Sequence, residues 1–138
     1  MSEEKMRALV QKHIDMETNT DVEGTLSTLV DHPVYEFYPL RLKLTGKENI
    51  RQFYREHFDT FFPKLHSNKL INTLWGPHSA FMEYDLYFKA PLDPERAYRI
   101  AIVLTEKDGL LLGERFFAEE ELVRLMTGKM FSHLELIR

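Results

Sequence analysis

The chain has 138 residues, 43% of them hydrophobic and 12% aromatic, with a net charge of −4. This suits one domain with one sizeable core; no lysine or arginine block points to nucleic acid, and the lack of cysteine excludes a disulfide scaffold, a thiolate zinc site and a cysteine nucleophile. The start MSEEKMRALV is charged rather than signal-like and no stretch approaches the roughly 18 apolar residues of a membrane span, so a cytoplasmic domain without membrane contact is expected.

Met6, Leu9, Val10, His13 and Ile14 recur at helical spacing and predict a first helix with one apolar face. Thr20-Asp21-Val22-Glu23 reads as a capping box opening a short second helix that buries Val22, Leu26, Leu29 and Val30. Pro33 closes it, and VYEFY follows as a short strand. Thr45-Gly46-Lys47-Glu48 is a second capping box. It opens the clearest helix of the chain, with Ile50, Phe53, Tyr54, His57, Phe58 and Phe61 on one face and Pro63 as its stop. Beyond Pro63 the apolar period switches to two, which predicts strands at about 66–75, 80–89, 97–106 and 110–118. Gly76-Pro77 marks one turn, Lys107-Asp108-Gly109 a tight hairpin, and APLDPER joins the middle pair. A last short helix runs from Glu119 to Thr127 and ends at Gly128. Early helices followed by adjacent strands predict an α+β fold with helices on one face of a curved antiparallel sheet.

The segments LVQKHIDMETNTDVEGTLSTLVDHPVYE, LTGKENIRQFYREHF and DGLLLGERFFAEEELVRLMTG, in this order, resemble the nuclear transport factor 2-like superfamily. Within it the chain is most similar to the SnoaL-like branch, related to polyketide cyclases, ketosteroid isomerase and limonene-epoxide hydrolase. The resemblance covers nearly the whole chain. It implies a cone-shaped sheet wrapped around a pocket roofed by the first and third helices, and homodimers packed through the outer face of the sheet. It also implies acid–base chemistry without a cofactor on a small hydrophobic or carbonyl-bearing molecule.

The family's catalytic positions match changed residues here. The isomerase tyrosine on the first helix matches His13. The aspartate base of the first strand matches Phe37, and the protonated acid of the oxyanion hole matches a site near Ala101. The acid of the last strand matches Arg115, and the aspartate ending that strand matches Ala118. A steroid-isomerase or epoxide-hydrolase mechanism using the familiar residues is therefore not expected.

Two strand faces compete for the cone. Hydrophobic alternation puts Met82, Tyr84, Leu86, Phe88, Ile100, Ile102, Leu104, Leu112, Glu114 and Phe116 inside. The resemblance places the opposite face there, with Glu83, Asp85, Tyr87, Arg99, Arg115 and Phe117 in the cone and the apolar face as a dimer interface. The second phase is the one adopted, because two carboxylates and two guanidiniums could neutralise one another in a partly dry cavity.

On that phase His13, Glu83 and Asp85 are the catalytic candidates. Imidazole titrates near neutrality, and carboxylates two apart share a strand face and can hold a raised pKa. Tyr54, Phe58, Tyr87, Arg99, Arg115 and Phe117 are the ligand-binding candidates, with Tyr54 within reach of His13 and Arg115 paired to Glu83 or Asp85. The bland readings are a hydrogen-bonded core histidine at position 13, a packed His57 and a solvated acidic strand face. No metal is expected, since no two of the six histidines stand four apart on a helix. The function expected is small-molecule binding with isomerase, cyclase or hydrolase chemistry. A non-catalytic binding or dimerisation module is the alternative.

Overall fold

The structure, a computed structural model, describes all 138 residues. Helix α1 (Glu3–Thr18) starts at Ser2, whose hydroxyl accepts from the Lys5 amide, and buries Met6, Val10 and His13. Helix α2 (Val22–Leu26) is capped by Asp21 rather than Thr20; the Asp21 carboxylate accepts from the Gly24 amide. It ends before Leu29 and Val30, which open strand β1 (Leu29–Tyr38) instead of closing the helix. Leu29 pairs with Leu111 across the sheet, and this non-local ladder overrides the local helical spacing. Pro33 sits inside β1 at an irregularity between Leu29 and Val34, where its missing N–H breaks no regular ladder.

Strand β2 (Leu42–Thr45) returns antiparallel to β1 and was not legible in the sequence. Helix α3 (Lys47–Glu56) begins at Gly46, whose φ of +89° suits glycine, so Thr45 makes no capping box. It continues as a wider π turn over His57–Phe61 before Pro63 stops it. Strands β3 (Leu65–Trp75), β4 (Ser79–Phe88), β5 (Tyr98–Lys107) and β6 (Leu110–Phe117) follow close to their expected positions, then α4 (Glu120–Thr127). A two-residue strand, β7 (Glu135–Leu136), closes the order β3-β4-β5-β6-β1-β2-β7. Only the β1–β6 pair is parallel. The fold is α+β and cone-like, with an open curved sheet.

One face of the sheet lies under the helices. Tyr35, Phe37, Met82, Ile100, Leu104 and Phe116 join Met6, Val10, Ile50, Phe53, Tyr54, Leu122 and Val123 in one buried cluster. The apolar alternation of β4 and β5 therefore faces inward, and the phase adopted from the resemblance is overturned. Glu83, Asp85, Tyr87, Arg99, Arg115 and Phe117 lie on the outer face. The physical reason is plain: the helices bury apolar stripes, and facing them with four charges would have cost more desolvation than mutual pairing returns.

A bulge in β6 lies just before the key acid. Leu111 pairs with Glu106 and Gly113 with Thr105, so Leu112 is extra. Leu111 and Glu114 both turn inward as a result, while Leu112 is exposed. Gly113 adopts φ +142°, and a Cβ there would stand 1.8 Å from the Val34 carbonyl oxygen. Only glycine lets β1 and β6 approach at this point.

Candidate active site

Beneath the helices lies a cavity of about 320 Å³. Phe61, Phe62, Tyr84, Ile100, Ile102 and Phe116 supply much of its apolar wall. Glu17, Glu114 and His57 are the lining carboxylates and imidazole, and Tyr84 adds a phenol. His13 stands directly behind the two carboxylates.

The protons of this cluster follow from its hydrogen bonds. The Thr28 hydroxyl donates to the Thr25 carbonyl at 2.6 Å, so its oxygen is left to accept. His13 Nδ1 lies 2.7 Å from that oxygen and must therefore carry a proton. His13 Nε2 faces Glu17 Oε1 at 3.0 Å and Glu114 Oε2 at 3.5 Å. A nitrogen directed at two carboxylates is protonated as well, so His13 is an imidazolium. Burial acts to lower its pKa, but the charge of Glu17 and the hydrogen bonds to Glu114 and Glu17 overcome it and hold the pKa at about 10. Glu17 is pushed up by burial and by the neighbouring Glu114, against the pull of His13.

Two tyrosines complete the network. Tyr54 Oη donates to Glu114 Oε2 at 3.2 Å and lies 3.3 Å from His13 Nε2. Tyr35 Oη is 2.5 Å from Tyr54 Oη, and its proton completes a chain running Tyr35 to Tyr54 to Glu114. Burial, followed by the nearby carboxylates, raises both phenols well above their ordinary value, so both stay protonated donors. Glu114 is 6% exposed, whereas Glu17 is 23% exposed on the cavity side. Glu17 is thus the carboxylate that a bound molecule would meet.

His57 takes a different state. Its Nδ1 lies 2.8 Å from the Met126 carbonyl oxygen, which can only accept, so Nδ1 carries the proton and Nε2 a lone pair. Burial outweighs the carbonyl hydrogen bond and lowers its pKa to about 4. The ring is stacked against Phe53 and Phe61 at 5.0 and 4.6 Å between centroids. His57 is therefore a neutral hydrogen-bond acceptor at the cavity wall.

Of the residues proposed from sequence, the fold brings together His13 and Tyr54. Phe58 packs on Tyr54 at 5.3 Å, behind the cavity rather than on its wall. Glu83, Asp85 and Arg99 meet one another, but outside. Arg99 donates to Asp85 and Glu83, each at 2.6 Å, on a half-exposed strand face. Arg115 is exposed and pairs with no carboxylate, contrary to the expected pairing with Glu83 or Asp85. Tyr87 and Phe117 share that outer face. Glu17 and Glu114 were missed as site residues. Glu17 stands one helical turn after His13, and this i, i+4 spacing was the available signal. Glu114 was on the inward face by hydrophobic alternation and was passed over because the opposite phase was adopted. His13 Nε2 and the two carboxylates lie within 4.8 Å of one another and could also hold a divalent cation, on loss of the Nε2 proton.

The matched family acids are absent as anticipated. Phe37 is buried and stacked on Phe116 at 5.1 Å, and Ala118 is buried. The inward acid of β6 is Glu114, one residue before Arg115.

No protein-family model matches the sequence, and no curated protein does. Solved structures do. A candidate ketosteroid isomerase from Kribbella flavida DSM 17836 superimposes with a TM-score of 0.67 at 21% identity, over 85% of this chain and 79% of that one. SalBIII, an epoxide hydrolase/cyclase-like enzyme of pyran ring formation in the polyether salinomycin, gives 0.67 at 15% identity, over 86% and 94%. A nuclear transport factor 2-like protein of unknown function from Burkholderia xenovorans LB400 gives 0.66 at 16% identity, over 86% of each chain. At these identities the likeness is one of fold: the chain has the nuclear transport factor 2-like fold.

Proposed function

We propose that the cavity binds a small, largely apolar molecule and that Glu17 exchanges a proton with it. The observation that carries this reading is a buried His13–Glu17–Glu114 cluster opening on a cavity of about 320 Å³ through its two carboxylates, Glu17 being the more exposed. A volume near the lower end of ligand pockets suits a mono- or bicyclic molecule. Glu17 is the acid–base group because it is the more exposed of the two carboxylates that line the cavity, and burial, then Glu114, raises its pKa above the ordinary carboxylate value while His13 stays charged beside it. His13 and Tyr54 hold the carboxylates in place and do not reach the molecule themselves. Neighbours of the same fold include enzymes described as isomerase and epoxide hydrolase/cyclase-like, which fits this class of chemistry without naming the reaction.

The test uses a bicyclic ketone such as 2-tetralone in deuterated water, with α-hydrogen exchange followed by NMR. The chain should bind it and speed exchange, and Glu17→Gln should remove about a hundredfold or more of that acceleration. Binding without acceleration would favour a non-catalytic binding protein for this ligand class. The aromatic filling at Phe37 and the alanine at position 118, where the resemblance would put acids, favour that second reading. No binding at all would remove the cavity as a ligand site.

A further inference from the structure

We propose that the molecule this cavity accepts carries a basic amine, held as its ammonium ion against Glu17 and Glu114. The inference rests on the reading of the cavity as a ligand site and adds the charge of the ligand.

Charge bookkeeping along the wall carries it. No lysine or arginine lines the cavity. The guanidiniums of Arg99 and Arg115, expected inside from the resemblance, stand on the far side of the sheet, where Arg99 is already bound to Asp85 and Glu83. Within, two carboxylates face one imidazolium. His13 has a single proton to offer on that side, and its shorter contact is to Glu17, at 3.0 Å against 3.5 Å for Glu114. Tyr54 adds a neutral hydrogen bond to Glu114 but no charge. The cluster therefore keeps an excess of one negative charge at the edge of a cavity with 12 hydrophobic residues among its 17. A net charge in such surroundings is costly, and a single ammonium group completes the balance with two cations to two anions.

The remaining polar wall agrees. His57 Nε2 is a lone-pair acceptor, because Nδ1 spends its proton on the Met126 carbonyl. It offers a place to an N–H or O–H of the ligand and repels a carboxylate. Tyr84, Phe61 and Phe116 line the same wall, and aromatic rings tolerate a cation far better than an anion. An anionic ligand would find two carboxylates, an acceptor nitrogen and no free cation.

The test compares three probes of one shape by calorimetry on the full chain at neutral pH: phenylbutylamine, phenylbutanol and phenylbutanoate. The amine should bind about tenfold or more tighter than the alcohol, and the carboxylate about tenfold or more weaker. Glu17→Gln should bring the amine down to about the level of the alcohol measured on the same variant. The wild-type ranking needs no variant, so a poorly folding mutant does not spoil the result. An amine no tighter than the alcohol, or a carboxylate that binds best, overturns the charge assignment while alcohol binding keeps the cavity reading. Failure of all three probes to bind at millimolar concentration overturns both.

Discussion

At the residue scale, His13 is a cation held between two carboxylates, and its loss should be felt as an unpaired charge. His13→Ala should cost about 3–5 kcal/mol, because Glu17 and Glu114 would then face each other with no counter-ion. Glu17→Gln removes one of the two like charges and should cost no more than about 1 kcal/mol. Urea unfolding of the three proteins checks the contrast, and equal losses for both variants would count against an imidazolium at this position. The two buried histidines also bend the stability curve in opposite directions. His57 is lowered to about 4, so its contribution is present above the ordinary pKa of 6.5 and is lost as pH falls from there toward 4. His13 is raised to about 10, so its contribution is complete below 6.5 and is lost as pH rises toward 10. Stability should therefore be highest near pH 6.5. NMR titration should show His57 unprotonated down to about pH 5, with its proton on Nδ1; a midpoint near 6.5 would mean that the ring is not sealed from water.

At the element scale, β6 decides which acid enters the cavity. The extra residue at Leu112 turns Leu111 and Glu114 to the same side, and Gly113 makes the bulge sterically possible against Val34. Gly113→Ala places a methyl group in the backbone of β1 and should destabilise by at least about 3 kcal/mol, an effect that thermal unfolding would register as a large drop in Tm. The neighbouring outer position behaves oppositely. Arg115→Ala should change stability by no more than about 0.5 kcal/mol, since the side chain is exposed and pairs with no acid. A loss of several kcal/mol there would show that the outer face is more tightly packed than its exposure indicates.

At the scale of the whole molecule, the sheet has one side under helices and one side open. The open side carries Glu83, Asp85 and Arg99 as an ion-paired patch, and exposed Leu74, Leu112 and Phe117, with Tyr38 stacked on Phe117 at 5.4 Å. Exposed apolar side chains on a broad sheet surface favour self-association. The expected state is a homodimer joined through this face, and sedimentation of a monomer at micromolar concentration would count against it. No helix is long and apolar enough to cross a membrane.

The sequence by itself determined the element order from α1 to α4 and the four long strands. These are local signals: apolar period, proline stops and a glycine after the last helix. Its apolar alternation pointed to the inward face of β4 and β5, but the resemblance led to the opposite face, and only the packed helices decided between them. It also placed His13 and Tyr54 together, because both lie on the apolar faces of helices that roof one sheet. What it did not determine was set by contacts between distant residues. Leu29 and Val30 have helical spacing yet form strand, because β1 gains a ladder with β6, some eighty positions away. The short β2 and β7 exist only as partners of strands already in place. Glu114 enters the cavity with Phe116, and Arg115 leaves it, because the helices pack on the apolar face of the sheet rather than on the face the resemblance selected; the extra residue at Leu112 changes the alternation only before Glu114, where it turns Leu111 inward. The charge of the site followed from the same step, since it is the tertiary structure that gathers Glu17, Glu114 and His13 and sends every guanidinium of the strands to the other side of the sheet.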